Sequence, residues 1–238
     1  MEFIFRRQEV KFVLKEAQYS LLRDLIKAKI PSDSFGKYLV QSLYFDTDTW
    51  DVIRASIEKP VYKEKLRLRC YGVPDRSSTI FMELKKKYKS IVYKRRISFP
   101  MQALQLKTSR DIAAEENSQI GRELSFYFHT NPVEEKVHIS YNREAFSDNG
   151  LRVTFDTGIR FRTNFLDYQY PDGGLEVLPA GLTVMEIKTL GGMPLWLAQA
   201  LGESKVFPTP FSKYGVSYKK YILQKGGTDS WNSFHKTS

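Results

Sequence analysis

Cysteine is all but missing from this chain. Cys70 stands alone, so no internal disulfide can form and a reducing compartment is expected. With no histidine beside it in an arginine-rich strand, Cys70 reads as a small core residue rather than a nucleophile. Histidine is scarce too. His129, His138 and His235 have neither zinc-like spacing nor a cysteine partner, which sets aside the common zinc sites. No stretch approaches the ~20 apolar residues of a membrane span, and the charged segment 1–12 lacks the apolar run of a signal peptide. A soluble, cytoplasmic protein is the expectation. Acids are the minority charge: 27 Asp plus Glu against 37 Lys plus Arg, a formal net charge of +10. That balance points to an anionic partner, whether nucleic acid, nucleotide, phosphate polymer or acidic membrane, and does not choose among them. Apolar residues are not lacking. At 42% hydrophobic and 14% aromatic, the chain can bury a core and leans toward strands.

Periodicity supplies the elements. Residues 2–14 read as a strand, and 15–30 as a helix with Leu21, Leu22, Leu25 and Ile26 at helical spacing. Strand patterns follow at 38–46, 63–72, 79–87 and 91–99, with Asp46-Thr47-Asp48 placed to cap a short helix at 50–56. Residues 101–128 read as helical. Strands resume at 136–146, 151–156, 158–164 and 182–189, and Pro194 opens a further helix. The tail 225–238 is polar. About eight strands with hairpin-scale links favour antiparallel pairing, with residues 1–224 as one domain.

Charge falls on every second residue, so each strand has a charged face and an apolar one. Lys65, Arg67 and Arg69 oppose Leu66, Leu68 and Cys70. Glu83 and Lys85 alternate with Met82 and Leu84, and Lys94 and Arg96 with Ile97 and Phe99. Tyr141 and Arg143 share a face, as do Arg152, Thr154 and Asp156. Arg160 and Arg162 flank Phe161, and Glu186 and Lys188 flank Ile187. A sheet wetted on one side would also alternate, but its polar face would not be so dominated by Arg and Lys. Eight strands suffice to close a barrel. Cations enclosed in one would need an anion, and Arg forks match phosphate oxygens. A weak echo joins Phe81-Met82-Glu83-Leu84-Lys85 to Val184-Met185-Glu186-Ile187-Lys188, with Glu9-Val10-Lys11 as a third Glu-x-Lys.

With these motifs, together with Tyr141-Asn142-Arg143 and Phe211-Ser212-Lys213-Tyr214, the chain resembles the VTC-type polyphosphate polymerase domain over residues 5–223. That domain is a branch of the triphosphate tunnel (CYTH-like) superfamily. The resemblance implies an α+β fold: a closed eight-stranded antiparallel β-barrel with flanking helices. It implies ATP bound with Mn2+ or Mg2+ and its γ-phosphate transferred to a growing inorganic polyphosphate chain. Carried over by position, Lys11, Arg67, Arg69, Lys85, Lys94, Arg143, Arg152 and Lys213 are the catalytic, phosphate-holding set, joined by Arg96, Tyr141 and Ser212. Glu186 is the expected metal ligand and Glu83 a second candidate, since hard cations prefer carboxylates. Asp156 could serve a metal or simply pair with Arg152. Relatives often carry a lysine where this chain has Pro210.

Two other functions compete. The same residues could hydrolyse triphosphate, with water as the acceptor, although the site is richer in bases than acids. A nucleic-acid binder would need aromatics on the charged face, and here they fall mostly on the opposite one, so no nucleic-acid partner is expected. Lys86, Lys87 and Lys89 read as a solvated loop or an entrance patch that steers an anion.

Overall fold

The structure, a computed structural model, describes residues 8–58, 60–89 and 91–222. The expected strand start at 2–7 and the polar tail 225–238 lie outside the described residues. In chain order the elements are β1 (Gln8–Lys15), α1 (Glu16–Lys29), β2 (Ser32–Asp46), α2 (Asp51–Ile57), β3 (Tyr62–Tyr71), β4 (Thr79–Tyr88) and β5 (Ile91–Pro100). Next come α3 (Ala103–Leu106), α4 (Ser109–Glu115), α5 (Gln119–Thr130), β6 (Glu134–Asp148) and β7 (Leu151–Arg162). The two-residue β8 (Leu175–Glu176), β9 (Leu182–Thr189), α6 (Leu195–Glu203), α7 (Lys213–Ser217) and one π-helical turn (Tyr218–Ile222) complete the chain.

The strands form one large antiparallel sheet in the order β1-β9-β7-β6-β2-β3-β4-β5, with β8 on β7. The hydrogen-bonded path begins at β1, ends at β5 and does not close on itself among the described residues. The fold is therefore α+β with a large antiparallel sheet, and hydrogen bonding does not define the closed barrel expected above.

The chain divides into two compact units, each assembled from three segments: Met1–Val40, Ser140–Arg160 and Leu178–Phe211, then Gln41–Ile139, Phe161–Val177 and Ser212–Ser238. Each has its own core, and alternation explains both. In the first unit Phe12 of β1 stands opposite Met185 of β9, which stands opposite Phe155 of β7. These residues, with Leu14, Val153 and Ile187, pack under Leu22 and Ile26 of α1 and Leu197 and Leu201 of α6. Leu22 and Ile26 are one helical turn apart, so both face the sheet. Each such side chain contributes about 1.5–3 kcal/mol by leaving water.

In the second unit Leu66, Leu68 and Cys70 of β3 and Ile80, Met82 and Leu84 of β4 pack on Ala113 of α4 and Leu124, Tyr127 and Phe128 of α5. Cys70 is thus a core residue, and burial pushes its thiol up to about 12. His138 is also buried. Desolvation, aided by the charge of Arg162, pulls it down to about 3, so it is neutral. Its Nε2 lies 3.0 Å from Gln41 Oε1.

Two sequence expectations need adjustment. The helix expected over 101–128 is three helices, because Thr108 and Ser118 act as N-caps. Their side chains accept hydrogen bonds from the backbone N–H groups of Asp111 and Gly121. The segments 151–156 and 158–164 are one strand, β7, which passes through Gly158 at φ +58°. Arg162 at its end is buried. Its Nε donates to the Phe165 carbonyl at 2.6 Å, Nη1 to that of Tyr170 at 2.7 Å, and Nη2 to that of Asp167, so it staples the following loop.

Candidate functional site

In the second unit the face of β3, β4 and β5 opposite the core is a grid of cations. Register sets its rows. Arg67, Glu83 and Arg96 are directly opposite one another; the next row is Lys65, Lys85 and Lys94; the next is Lys63, Lys87 and Val92. Glu83 is the one acid in these rows. Its side chain is 1% exposed. Arg67 Nε and Nη2 donate to its Oε2 at 2.9 and 2.7 Å. Lys94 Nζ lies 2.6 Å from its Oε1, which also accepts from Nε of Arg96 at 2.8 Å. Burial alone would raise the Glu83 pKa. The charges of Arg67 and Arg69, with the Lys94 bond, outweigh burial and hold the carboxylate well below its ordinary range. The Lys94 pKa is lowered as well, because burial outweighs its bond to Glu83.

Neighbouring elements complete this face. Arg67 Nη1 donates to the Tyr44 hydroxyl of β2 at 3.0 Å, and Arg69 Nε to the Ser42 hydroxyl at 3.1 Å. The Tyr44 ring lies 5.0 Å from that of Tyr214, over which Lys65 places its ammonium at 5.9 Å. Tyr214 donates to Asp46 at 2.6 Å. Asp46 also accepts from the backbone N–H groups of Val52 and Ile53, which caps α2 and ties α7 to the sheet. Ser212 N-caps α7, accepting from Gly215 N at 3.2 Å, and Lys213 follows in its first turn.

Tyr44 was not among the expected site residues, although a signal existed. Ser42, Tyr44 and Asp46 alternate with the core residues Leu43 and Phe45, the same period-two polar face seen in β3. Burial would raise the Tyr44 pKa, but Arg67, Arg69 and Lys65 outweigh it and bring the phenol to about 8. Phenolate absorbance is expected to titrate near that pH in the wild type and to lose that step in Tyr44→Phe. A bound polyanion that neutralises Arg67 and Lys65 should move the step upward. A wild-type titration with no phenolate step below the ordinary tyrosine range would refute the assignment.

In the first unit the face opposite the core is charge-balanced. Lys11 stands opposite Glu186 and Glu9 opposite Lys188, with Thr154 and Arg152 of β7 continuing those rows. Lys11 Nζ lies 3.2 Å from Glu9 and 3.6 Å from Glu186. Lys188 Nζ lies 2.5 Å from Glu186 and 3.9 Å from Glu9. Lys11 also donates to the Phe211 carbonyl at 3.3 Å. Burial opposes ionisation of Glu186, yet Lys188 and Lys11 pull its pKa down. Arg143 grips Asp156 with two bonds, 2.7 and 2.8 Å, its guanidinium 5.2 Å from the Tyr141 ring. Asp156 therefore pairs with Arg143. Arg152 pairs with Asp33 at 3.2 Å.

The structure thus brings Arg67, Arg69, Glu83, Lys85, Lys94 and Arg96 onto one face of the second unit. Lys11, Tyr141, Arg143, Arg152 and Glu186 lie in the first unit. Among the described residues no group of three or more His, Cys, Asp or Glu side chains could hold a metal ion. A small divalent cation can instead be held by one or two carboxylates together with substrate phosphates. Glu186, with Glu9 beside the same ammonium groups, fits that donor chemistry. Both oxygens of Glu83 already accept from Arg67, Lys94 and Arg96.

The chain is thus an α+β protein built on one large antiparallel sheet, with a basic strand face in its second unit. A candidate adenylate cyclase from Bacillus halodurans superposes with a TM-score of 0.55 at 13% identity, covering 91% of this chain and 98% of that one. A candidate adenylate cyclase from Vibrio parahaemolyticus gives 0.46 at 12% identity, covering 88% and 96%. The PH1819 protein from Pyrococcus horikoshii gives 0.47 at 14% identity, covering 92% and 99%. The first of these, at 13% identity, establishes likeness of fold alone. No curated protein matches the chain. The VTC domain profile matches residues 6–222, and the chain belongs to that family. No helix among the described residues is long and apolar enough to cross a membrane.

Proposed function

We propose that this protein is a polyphosphate polymerase, which binds ATP and inorganic polyphosphate and transfers the γ-phosphoryl group to the growing chain. One observation carries the reading: Lys65, Lys85 and Lys94 stand directly opposite one another across three strands, beside Arg67 and Arg96, which share the single carboxylate Glu83 with Lys94. Like charges directly opposite one another destabilise a sheet. A polyanion reverses the sign of that contribution. Membership of the VTC domain family supports the same substrate class.

Phosphoryl transfer needs positioning and charge neutralisation more than covalent catalysis. Arg67, Arg69, Lys85, Lys94 and Arg96 supply donors to phosphate oxygens, and Glu83 fixes three of them in place. Lys11, Arg143, Arg152 and Lys213 are assigned to phosphate contacts, with hydroxyl donors from Tyr141 and Ser212. Glu186 is assigned to Mn2+ or Mg2+, which when bound would neutralise charge on bridging phosphate oxygens. The closed eight-stranded barrel belongs to this reading as its finer architectural form.

Incubation with ATP and Mn2+ is expected to yield polymer and ADP in step, with no accumulation of orthophosphate. Orthophosphate without polymer would transfer the site to triphosphate hydrolysis. Absence of both products would remove the enzymatic reading.

A further inference from the structure

The charged face of β3, β4 and β5 does not end at the residues so far assigned. Beyond Lys65, Lys85 and Lys94 lies a further row in which Lys63 stands opposite Lys87, and Lys87 opposite Val92. No carboxylate stands in it. All of Lys63, Lys65, Arg67 and Arg69 lie on one face of β3, and Glu83, Lys85 and Lys87 on the matching face of β4, because alternate residues of a strand share a face. Acidity therefore falls along the strands. The row with Glu83 contains one acid, and the two rows toward the β4–β5 turn contain none. Neither Lys63 nor Lys87 is fully exposed, and Lys63 Nζ is drawn to the Ser56 carbonyl at 3.0 Å. On the other face Lys86 lies 3.6 Å from Glu64 and 3.2 Å from Glu123.

We infer that Lys63 and Lys87 form an additional phosphate subsite, occupied by a phosphate chain that extends from the Glu83 row toward the β4–β5 turn. The inference rests on the polyphosphate reading above and adds a direction and a length preference to it. Successive rows on one face are about 6.8 Å apart, two residues of strand rise. A short oligophosphate seated at Arg67, Lys85 and Lys94 ends before the Lys63–Lys87 row, whereas a long chain reaches it. The subsite thus favours long polyphosphate over triphosphate and holds the product chain while its reacting end stays near the arginines. It also accounts for Lys87, which the sequence alone left as a solvated loop or an entrance patch.

Titration calorimetry with tripolyphosphate and with long-chain polyphosphate tests it, using wild type, Lys87→Gln, Lys86→Gln and the double variant Lys63→Gln/Lys87→Gln. Lys86→Gln removes the same charge from the opposite face, so it reports the effect of net charge alone. Loss of one charge-assisted contact is expected to weaken long-chain binding by about tenfold in Lys87→Gln. Tripolyphosphate affinity should change by less than about twofold, as for a distant surface charge. The double variant should lose more, with unchanged thermal unfolding showing that it folds; the single variant decides if it does not. Equal affinities for Lys87→Gln and Lys86→Gln with long chains overturn the subsite. So does a parallel loss for tripolyphosphate. A wild type that binds neither ligand overturns the polyphosphate reading itself, a distinct result.

Discussion

Replacing Glu83 by glutamine is expected to destabilise the protein by about 3–5 kcal/mol, the usual consequence of removing one partner of a buried ion pair. Arg67, Lys94 and Arg96 all hold this one carboxylate, and its side chain is 1% exposed. Glutamine keeps the shape but brings an amide N–H toward groups that can only donate. For a chain of this size each kcal/mol lowers the unfolding midpoint by roughly 2–4 °C. The pH dependence has a definite sign. Burial raises the Glu83 pKa, but Arg67 and Arg69 lower it by more, so the net value is depressed. Its stabilisation is therefore complete above the ordinary carboxylate pKa and is lost as pH falls through the folded value. The gap between wild type and variant should stay constant through neutral pH and narrow only in acid. Polyphosphate should restore more stability to the variant than to the wild type, since loss of the carboxylate leaves Arg67, Lys94 and Arg96 to pair with the polyanion; a ligand at 100 times its Kd adds about 2.7 kcal/mol. Thermal unfolding of both proteins with and without polyphosphate measures this; a Glu83→Gln protein that melts like wild type would remove Glu83 from its central place.

Arg67→Ala is expected to lower kcat/KM for ATP-dependent polymer formation by about 100- to 1,000-fold, the scale of losing a donor aimed at developing phosphate charge. Arg67→Lys should rescue little of it. The arginine uses Nε and Nη2 on Glu83 and Nη1 on Tyr44, and no ammonium can hold those partners in one plane. A merely structural role would show as lost stability with kcat/KM intact in the folded fraction. Full activity in Arg67→Lys would mean that charge alone matters there.

The period-two charge pattern is visible in a single chain because alternation is a local property. That is why the cationic face of β3, β4 and β5 could be read from Lys65, Arg67, Lys85 and Lys94. Register is not local. Phe81-Met82-Glu83-Leu84-Lys85 and Val184-Met185-Glu186-Ile187-Lys188 look equivalent as strings. In the structure Glu83 stands between Arg67 and Arg96, whereas Glu186 stands between Lys11 and Thr154. One becomes the hub of three cations. The other sits between two ammonium groups that phosphate could draw away. Asp156 shows the same limit: its neighbour Arg152 turns to Asp33, and Arg143 takes Asp156 from the next strand. Tyr44 was legible by alternation but masked by the apolar Leu43 and Phe45 around it. The breaks in the 101–128 helix lay in Thr108 and Ser118, hydroxyl residues that equally suit a loop.

Pairing of β1 with β9, in which Gln8 meets Thr189 and Lys15 meets Leu182, has a consequence for biosynthesis. A chain leaves the ribosome N-terminus first at about 5–20 residues per second. Strand β1 is made well before its partner and has no edge to join until β9 has been translated. During that interval Phe12 and Leu14, which end up in a core, are bare. Helix α1, directly downstream, is the first element able to shelter them. Slow codons anywhere between β1 and β9 would lengthen this exposure, and chaperone demand should rise with the total translation time of that interval.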